Sequence, residues 1–272
     1  MSRKKKRPEP ESMGLPKIGV ETHAHLDFEA FEDDLDRVIE RAAASGVSHI
    51  GQVFLGPDAY EKNRAAFDGR EGFFYLLGVH PHDASGLDEA GLTAMRKAFE
   101  NDGRLKAVGE IGLDYFYDNS PRDVQREAFR AQLGLAREVA HPVVVHSRDA
   151  DEDTFAILKE QGFADKPVLW HCFGRDEKFA ARVLEHGWMI SIPGTITFKK
   201  AEKLREAAAF IPIDRLVVET DCPFMAPEPY RGKRNEPAFC VFTAAAIAEA
   251  KGMDAADVWR ITGENARGFF GL

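Results

Sequence analysis

Eight times along this chain a short, β-rich apolar run gives way to a longer stretch with helical spacing, and no linker interrupts the alternation. The runs fall at 18–23, 48–55, 73–79, 105–110, 142–146, 168–171, 188–192 and 216–219. Helical patterns lie between them at 30–44, 58–67, 87–100, 121–139, 151–161, 176–186 and 199–210, with further helices at 237–251, 254–262 and 264–270. Leu35, Val38 and Ile39 share one face of the first, and Pro121 opens the longest, where its missing N–H had no partner to lose. Strands returned through helices must run parallel. Eight such units predict one closed (β/α)8 TIM barrel with extra C-terminal helices. The competing arrangement, an open doubly wound sheet, lacks its GxGxxG after the first strand.

The chain carries 44% hydrophobic and 30% charged residues, enough to bury a large core. No apolar run approaches the roughly 18–20 residues that a membrane span requires, so no membrane partner is expected. Arg3-Lys4-Lys5-Lys6-Arg7 is followed by no apolar stretch and is not a signal peptide. With Pro8, Pro10 and Pro16 close behind, residues 1–16 are expected to form a disordered basic tail ahead of a barrel at 17–272. Residues 1–17 hold six Lys/Arg and two acidic residues, a surplus of four, so against a total of −9 the rest carries −13. A body that acidic offers no broad face to duplex DNA, and phosphates have to be recognised locally. Cys172, Cys222 and Cys240 have no CxxC spacing, which argues against a disulfide scaffold and for a reducing cytoplasm.

The chemistry sits where the runs end. His23 and His25 are two apart at the end of the first strand, so both can point to one side. His146 and His171 end the fifth and sixth strands, neighbours in a barrel. Glu110 ends the fourth, between the two pairs, and is placed to bridge them. Asp221 follows the eighth strand, which adjoins the first in a closed barrel. Taken alone, the His23/His25 pair reads equally well as ligands or as a polar strand end, and His146 or His171 more often as a hydrogen-bonded histidine than as a ligand. Six at one mouth point to metal. Imidazole and carboxylate suit two divalent ions of Zn, Mn or Fe, or Mg with more waters.

Other residues near the mouth keep two readings. His80 and His82 flank Pro81, either as turn structure or as contacts to a phosphate or leaving group. Arg148 either clamps a phosphate with its planar fork or pairs with Asp149 or Asp151. Arg231, Arg234 and Asn235, with Lys233, form a solvated basic loop or a substrate contact, the latter favoured by position. Asp114 and Glu219 are expected to orient the ligands.

The segments 21–27 (ETHAHLD), 78–82 (GVHPH), 109–115 (GEIGLDY), 146–150 (HSRDA), 171–173 (HCF), 219–223 (ETDCP) and 231–237 (RGKRNEP) resemble the TatD family of metal-dependent hydrolases, in order and from about residue 18 to the C-terminus. The resemblance implies an amidohydrolase-like barrel that hydrolyses phosphodiesters as a deoxyribonuclease. It implies His23, His25, Glu110, His146, His171 and Asp221 as ligands, with Glu110 bridging. The family usually has Asp at Glu21, often Cys at Ala24, a Ser-Gly pair at Gly174-Arg175, and commonly Ala at Cys222; Arg175 at the mouth bears on substrate preference. The expected activity is exonuclease-like, on DNA ends or single strands, with Asp221 as general base, Glu110 beside it, and phosphate contacts from Arg148 or Arg231. Two alternatives remain: a deacylase acting on an aminoacyl-tRNA-like ester or small amide, and a non-catalytic binding protein, which six intact ligands argue against.

Overall fold

In the computed structural model, which describes residues 7–272, eight strands form one sheet in sequence order, every neighbouring pair parallel. They are β1 (Gly19–Ala24), β2 (Val47–Leu55), β3 (Phe73–Gly78), β4 (Leu105–Asp114), β5 (Val143–Arg148), β6 (Val168–Trp170), β7 (Met189–Ile192) and β8 (Leu216–Val218). Helices α1 (Leu35–Ala44), α2 (Pro57–Asn63), α3 (Glu89–Asn101), α4 (Arg122–Glu138), α5 (Asp151–Glu160), α6 (Glu177–Leu184), α7 (Glu202–Phe210) and α8 (Cys240–Lys251) each follow the strand of the same number, and α9 (Ala255–Phe270) is extra. The seam between β1 and β8 closes just past the strand ends. There the Asp221 N–H donates to the His23 carbonyl at 2.9 Å and the His25 N–H to the Cys222 carbonyl at 2.9 Å. The result is a nearly closed TIM barrel, as the eightfold alternation predicts.

Alternate side chains fill two layers. Val20, Val53, Phe74, Leu76, Ala107, Val144, Leu169, Met189 and Val217 pack inside the barrel. Larger residues such as Trp170, Trp188 and Phe155 lie between strands and helices. Ala266 and Phe270 of α9 plug the end where the strands begin, with Phe270 4.7 Å from Phe74. The opposite end is left open for a site.

Two expectations need correction. The segments 254–262 and 264–270 are one helix, because Gly263 lets α9 lie against β1: a Cβ there would meet the Ile18 carbonyl oxygen at 2.6 Å. Residues 7–16 are not a free tail. Pro10 is buried, Met13 and Leu15 pack on the core, and the Trp259 indole donates to the Pro16 carbonyl at 2.9 Å. Arg7 donates to the Pro229 carbonyl at 2.9 Å and lies over the Tyr230 ring. These few apolar side chains supply the burial that the polar composition of the segment had argued against. Residues 1–6 of the expected tail, with four of its five Lys/Arg, lie outside the described residues.

Candidate metal centre at the barrel mouth

Regular alternation along β1 would send His23 to the wrong face. Val20 points into the barrel and so does Thr22, whose hydroxyl lies 3.4 Å from that of Ser191. The pairing with β2 slips between Glu21 and Ala24. A slip of this kind adds one residue and reverses the alternation. His23 and His25 therefore face inward with Thr22, while Glu21 turns out to accept a bond from the Cys240 thiol of α8 at 2.6 Å. β4 uses the same device. Ala107 faces in and Val108 out, and a slip between Val108 and Ile111 turns Glu110 inward. Gly109 permits the close approach to β5, since a Cβ there would meet Val144 Cβ at 2.7 Å. On β5 and β6 plain alternation suffices, from Val144 to His146 and Arg148, and from Leu169 to His171. Asp221 takes a left-handed backbone, φ 56°, which costs a non-glycine residue about 1–3 kcal/mol and is held by the seam bond to His23.

The six side chains meet around Glu110. Its Oε2 lies 3.2 Å from His23 Nε2 and 3.9 Å from His25 Nε2. Its Oε1 lies 2.8 Å from His146 Nδ1 and 3.3 Å from His171 Nε2. Each carboxylate oxygen thus serves a different imidazole pair. Asp221 Oδ1 stands on the first side, 3.4 Å from His25 Nε2 and 3.9 Å from His23 Nε2. Carboxylates behind the cluster fix the rings: Glu219 bonds His171 Nδ1 at 2.9 Å, and Asp114 bonds His146 Nε2 at 3.1 Å and His82 Nε2 at 3.0 Å. Glu219 also accepts from the Cys172 N–H at 2.8 Å.

Burial pushes the Glu110 carboxyl up, but the charges of His171 and His80 and the bonds of His146 and His171 hold it well below the usual carboxylate range. Burial also opposes charge on His171, yet Glu219 and Glu110 raise it well above an ordinary imidazole. His23 moves the other way, lowered by burial and by His171, whose ring stacks on it at 3.6 Å. Neutral His23 is short of partners. Its Nε2 is near Glu110 yet off the line of a hydrogen bond, and neither of its ring nitrogens nor His25 Nδ1 has a hydrogen-bond partner among the described residues. Burying unbonded polar atoms is costly. Converging imidazoles and carboxylates with such atoms unpaired fit a divalent-cation site. Among the described residues, four sets of donor atoms lie within 4.8 Å of one another: His23, His25 and Asp221; His23, Glu110 and His171; His80, Glu110 and His146; and His171, Cys172 and Asp221.

The remaining expected residues divide. His80 is buried with Nε2 3.6 Å from Glu110, burial lowering it to about 3, and half-buried His82 faces the cavity. Arg148 also lines the cavity; no ion pair holds it among the described residues, and its guanidinium lies 4.1 Å over Phe116 and 4.8 Å over Tyr117. Asp151 pairs with Arg175 instead. Arg231 does not line the cavity and sits 4.2 Å over Phe198. Asn235 is fully buried, its amide donating to the Thr220 carbonyl at 2.8 Å and the Phe224 carbonyl at 2.6 Å, so it is spent on shaping the Asp221 loop rather than on substrate. Arg234 is likewise held by Asp34 and Glu236. The sequence reading missed the aromatic lining. A cavity of about 860 Å³ is walled by Phe28, Tyr117 and Phe224 as well as by the cluster. Apolar residues in the loops after β1, β4 and β8 were the available signal.

An eight-stranded parallel barrel with histidines and carboxylates gathered at its C-terminal mouth is the arrangement of a metal-dependent hydrolase. Residues 20–271 match a family model described as TatD related DNase, and the chain belongs to the TatD family of metal-dependent hydrolases. It is 40% identical over 250 residues to YabD of Bacillus subtilis, an uncharacterized metal-dependent hydrolase, covering 92% of this chain and 98% of that one. A 3'-5' ssDNA/RNA exonuclease TatD from Erwinia tasmaniensis is 36% identical over 263 residues, 94% of this chain and 99% of the relative. The crystal structure of YjjV, a TatD homologue from Escherichia coli K12, superposes with a TM-score of 0.88 at 28% identity, over 94% of this chain and 99% of that one.

Proposed function

We propose that this chain is a nuclease that hydrolyses phosphodiester bonds at the ends of single-stranded DNA or in short oligonucleotides, with two divalent cations held by His23, His25, Glu110, His146, His171 and Asp221. The observation that carries this reading is Glu110, whose two oxygens face separate imidazole pairs in a cavity that the unpaired Arg148 also lines. The activity in the name of the Erwinia relative supports the substrate class. When bound, such cations polarise a phosphoryl oxygen and make water acidic enough to attack near neutral pH.

The chain's own groups do the rest. Asp221 is the more accessible carboxylate, its side chain 15% exposed against 5% for Glu110, so its free oxygen takes the proton of the attacking water and returns it to the leaving oxygen. Glu110 holds the two imidazole pairs together. Asp114 and Glu219 fix the orientation of His146 and His171. Arg148 faces the developing phosphate charge from its position over the Phe116 and Tyr117 rings. His80, whose Nδ1 accepts from the His82 N–H, keeps its Nε2–H to donate to the phosphate or the leaving oxygen, and His82, its Nε2 donating to Asp114, borders the substrate beside it. The acidic body favours a strand end entering the mouth over a duplex lying across it. The free thiols of Cys172, Cys222 and Cys240 fit a reducing cytoplasm.

The test is hydrolysis of an end-labelled single-stranded DNA oligonucleotide, with and without a chelator and with Zn, Mn or Mg added back. Shortening of the strand that stops on chelation and returns with metal is expected. An intact strand under every metal contradicts the reading.

A further inference from the structure

Among the described residues, five large hydrophobic side chains are well exposed, and three of them, Phe116 at 56%, Tyr117 at 55% and Phe224 at 51%, stand at the mouth. They fall on two rims. Phe116 and Tyr117 follow β4, while Phe224 follows β8, four strands away in a ring of eight. Phe28, following β1 across the seam, stands beside Phe224 with ring centroids 6.1 Å apart, and stacks on His25 at 5.0 Å. On the far rim the Arg148 guanidinium carbon lies 4.1 Å from the Phe116 ring centroid and 4.8 Å from that of Tyr117, two rings set edge to face at 89°. Tyr117, Phe28 and Phe224 wall one cavity with Glu110 and Asp221 between them.

From this arrangement we infer that the two rims stack the bases on either side of the cleaved phosphodiester, Phe224 with Phe28 gripping one and Tyr117 with Phe116 the other. The inference rests on the nuclease reading and deepens it. Aromatic faces and guanidinium planes bind unpaired bases without regard to sequence. Bases inside a duplex already stack on one another and cannot offer their faces, so the rims select single strands and frayed ends. The acidic body adds no long basic track. Recognition is therefore confined to the nucleotides next to the reacting phosphate.

The experiment removes a ring and a base together. kcat/KM is measured for the metal-loaded wild type, Phe224→Ala, Tyr117→Ala and Phe224→Trp. The substrates are a single-stranded DNA oligomer and two versions with an abasic nucleotide on one or the other side of the cleaved bond. Each alanine variant is expected to lose on the order of ten-fold on the intact oligomer, the value of one base–aromatic stack. With the abasic nucleotide on its own side, the losses should overlap rather than multiply. Phe224→Trp, which restores a stacking face, should recover most of the rate that Phe224→Ala loses. Losses that multiply on both sides, or alanine variants as active as wild type, overturn the stacking roles while leaving the nuclease reading in place. A wild type that leaves every oligomer intact but hydrolyses a neutral ester overturns both.

Discussion

Glu110 is buried and Asp221 only partly so, and only Asp221 has an oxygen that does not lie among imidazoles. Asp221→Asn keeps an oxygen that can still ligate and removes the group that accepts a proton. The rate on single-stranded DNA should fall by about 10²- to 10⁴-fold with metal content little changed. Near-normal turnover with metal bound would show that the base is elsewhere. Arg148→Ala removes a charge that only a phosphate needs, so KM for DNA should rise on the order of ten-fold while a neutral ester is turned over as before. Equal losses on both substrates would mean that Arg148 shapes the cavity rather than binding phosphate. At this scale residue type and position at a strand end were legible in the sequence, and burial was not. Asn235 shows the gap: a polar residue in a loop at the active face reads as a substrate contact, yet it is enclosed and spends its amide on backbone carbonyls.

Secondary structure was legible because period-2 and period-3.6 patterns come from short-range packing. The two slips that aim His23 and Glu110 inward were not. A bulge is set by pairing with a strand far along the chain, and within β1 and β4 themselves the alternation points both ligands outward. The continuity of α9 across Gly263 was hidden for a related reason, since glycine there answers to a backbone in β1 rather than to the helix. The N-terminal segment gives a test at this scale. Deleting residues 1–16 exposes the surfaces under Pro10, Met13 and Leu15 and leaves the Trp259 indole without its acceptor. A cost of about 2 kcal/mol follows, or roughly 4–8 °C in Tm. An unchanged melting curve would show that the segment contributes nothing to the fold.

The whole molecule is a barrel sealed at one end by α9 and left open at the other, where buried charge is concentrated. Without cations the mouth holds imidazoles crowded around one carboxylate, with ring nitrogens unpaired. A ligand that binds only the folded state stabilises it by about 2.7 kcal/mol at a hundred times its dissociation constant. Chelation should therefore lower Tm by several degrees and metal should restore it, whereas a Tm indifferent to chelation would argue that no cation is held. The most direct measurement is the ratio of kcat/KM for single-stranded DNA to that for a neutral carboxylic ester, taken on enzyme reconstituted with each divalent metal and assayed for metal per chain. The nuclease account predicts about two bound ions and a clear preference for DNA. A preference for the ester with the same metals bound would contradict it and assign the site to deacylation.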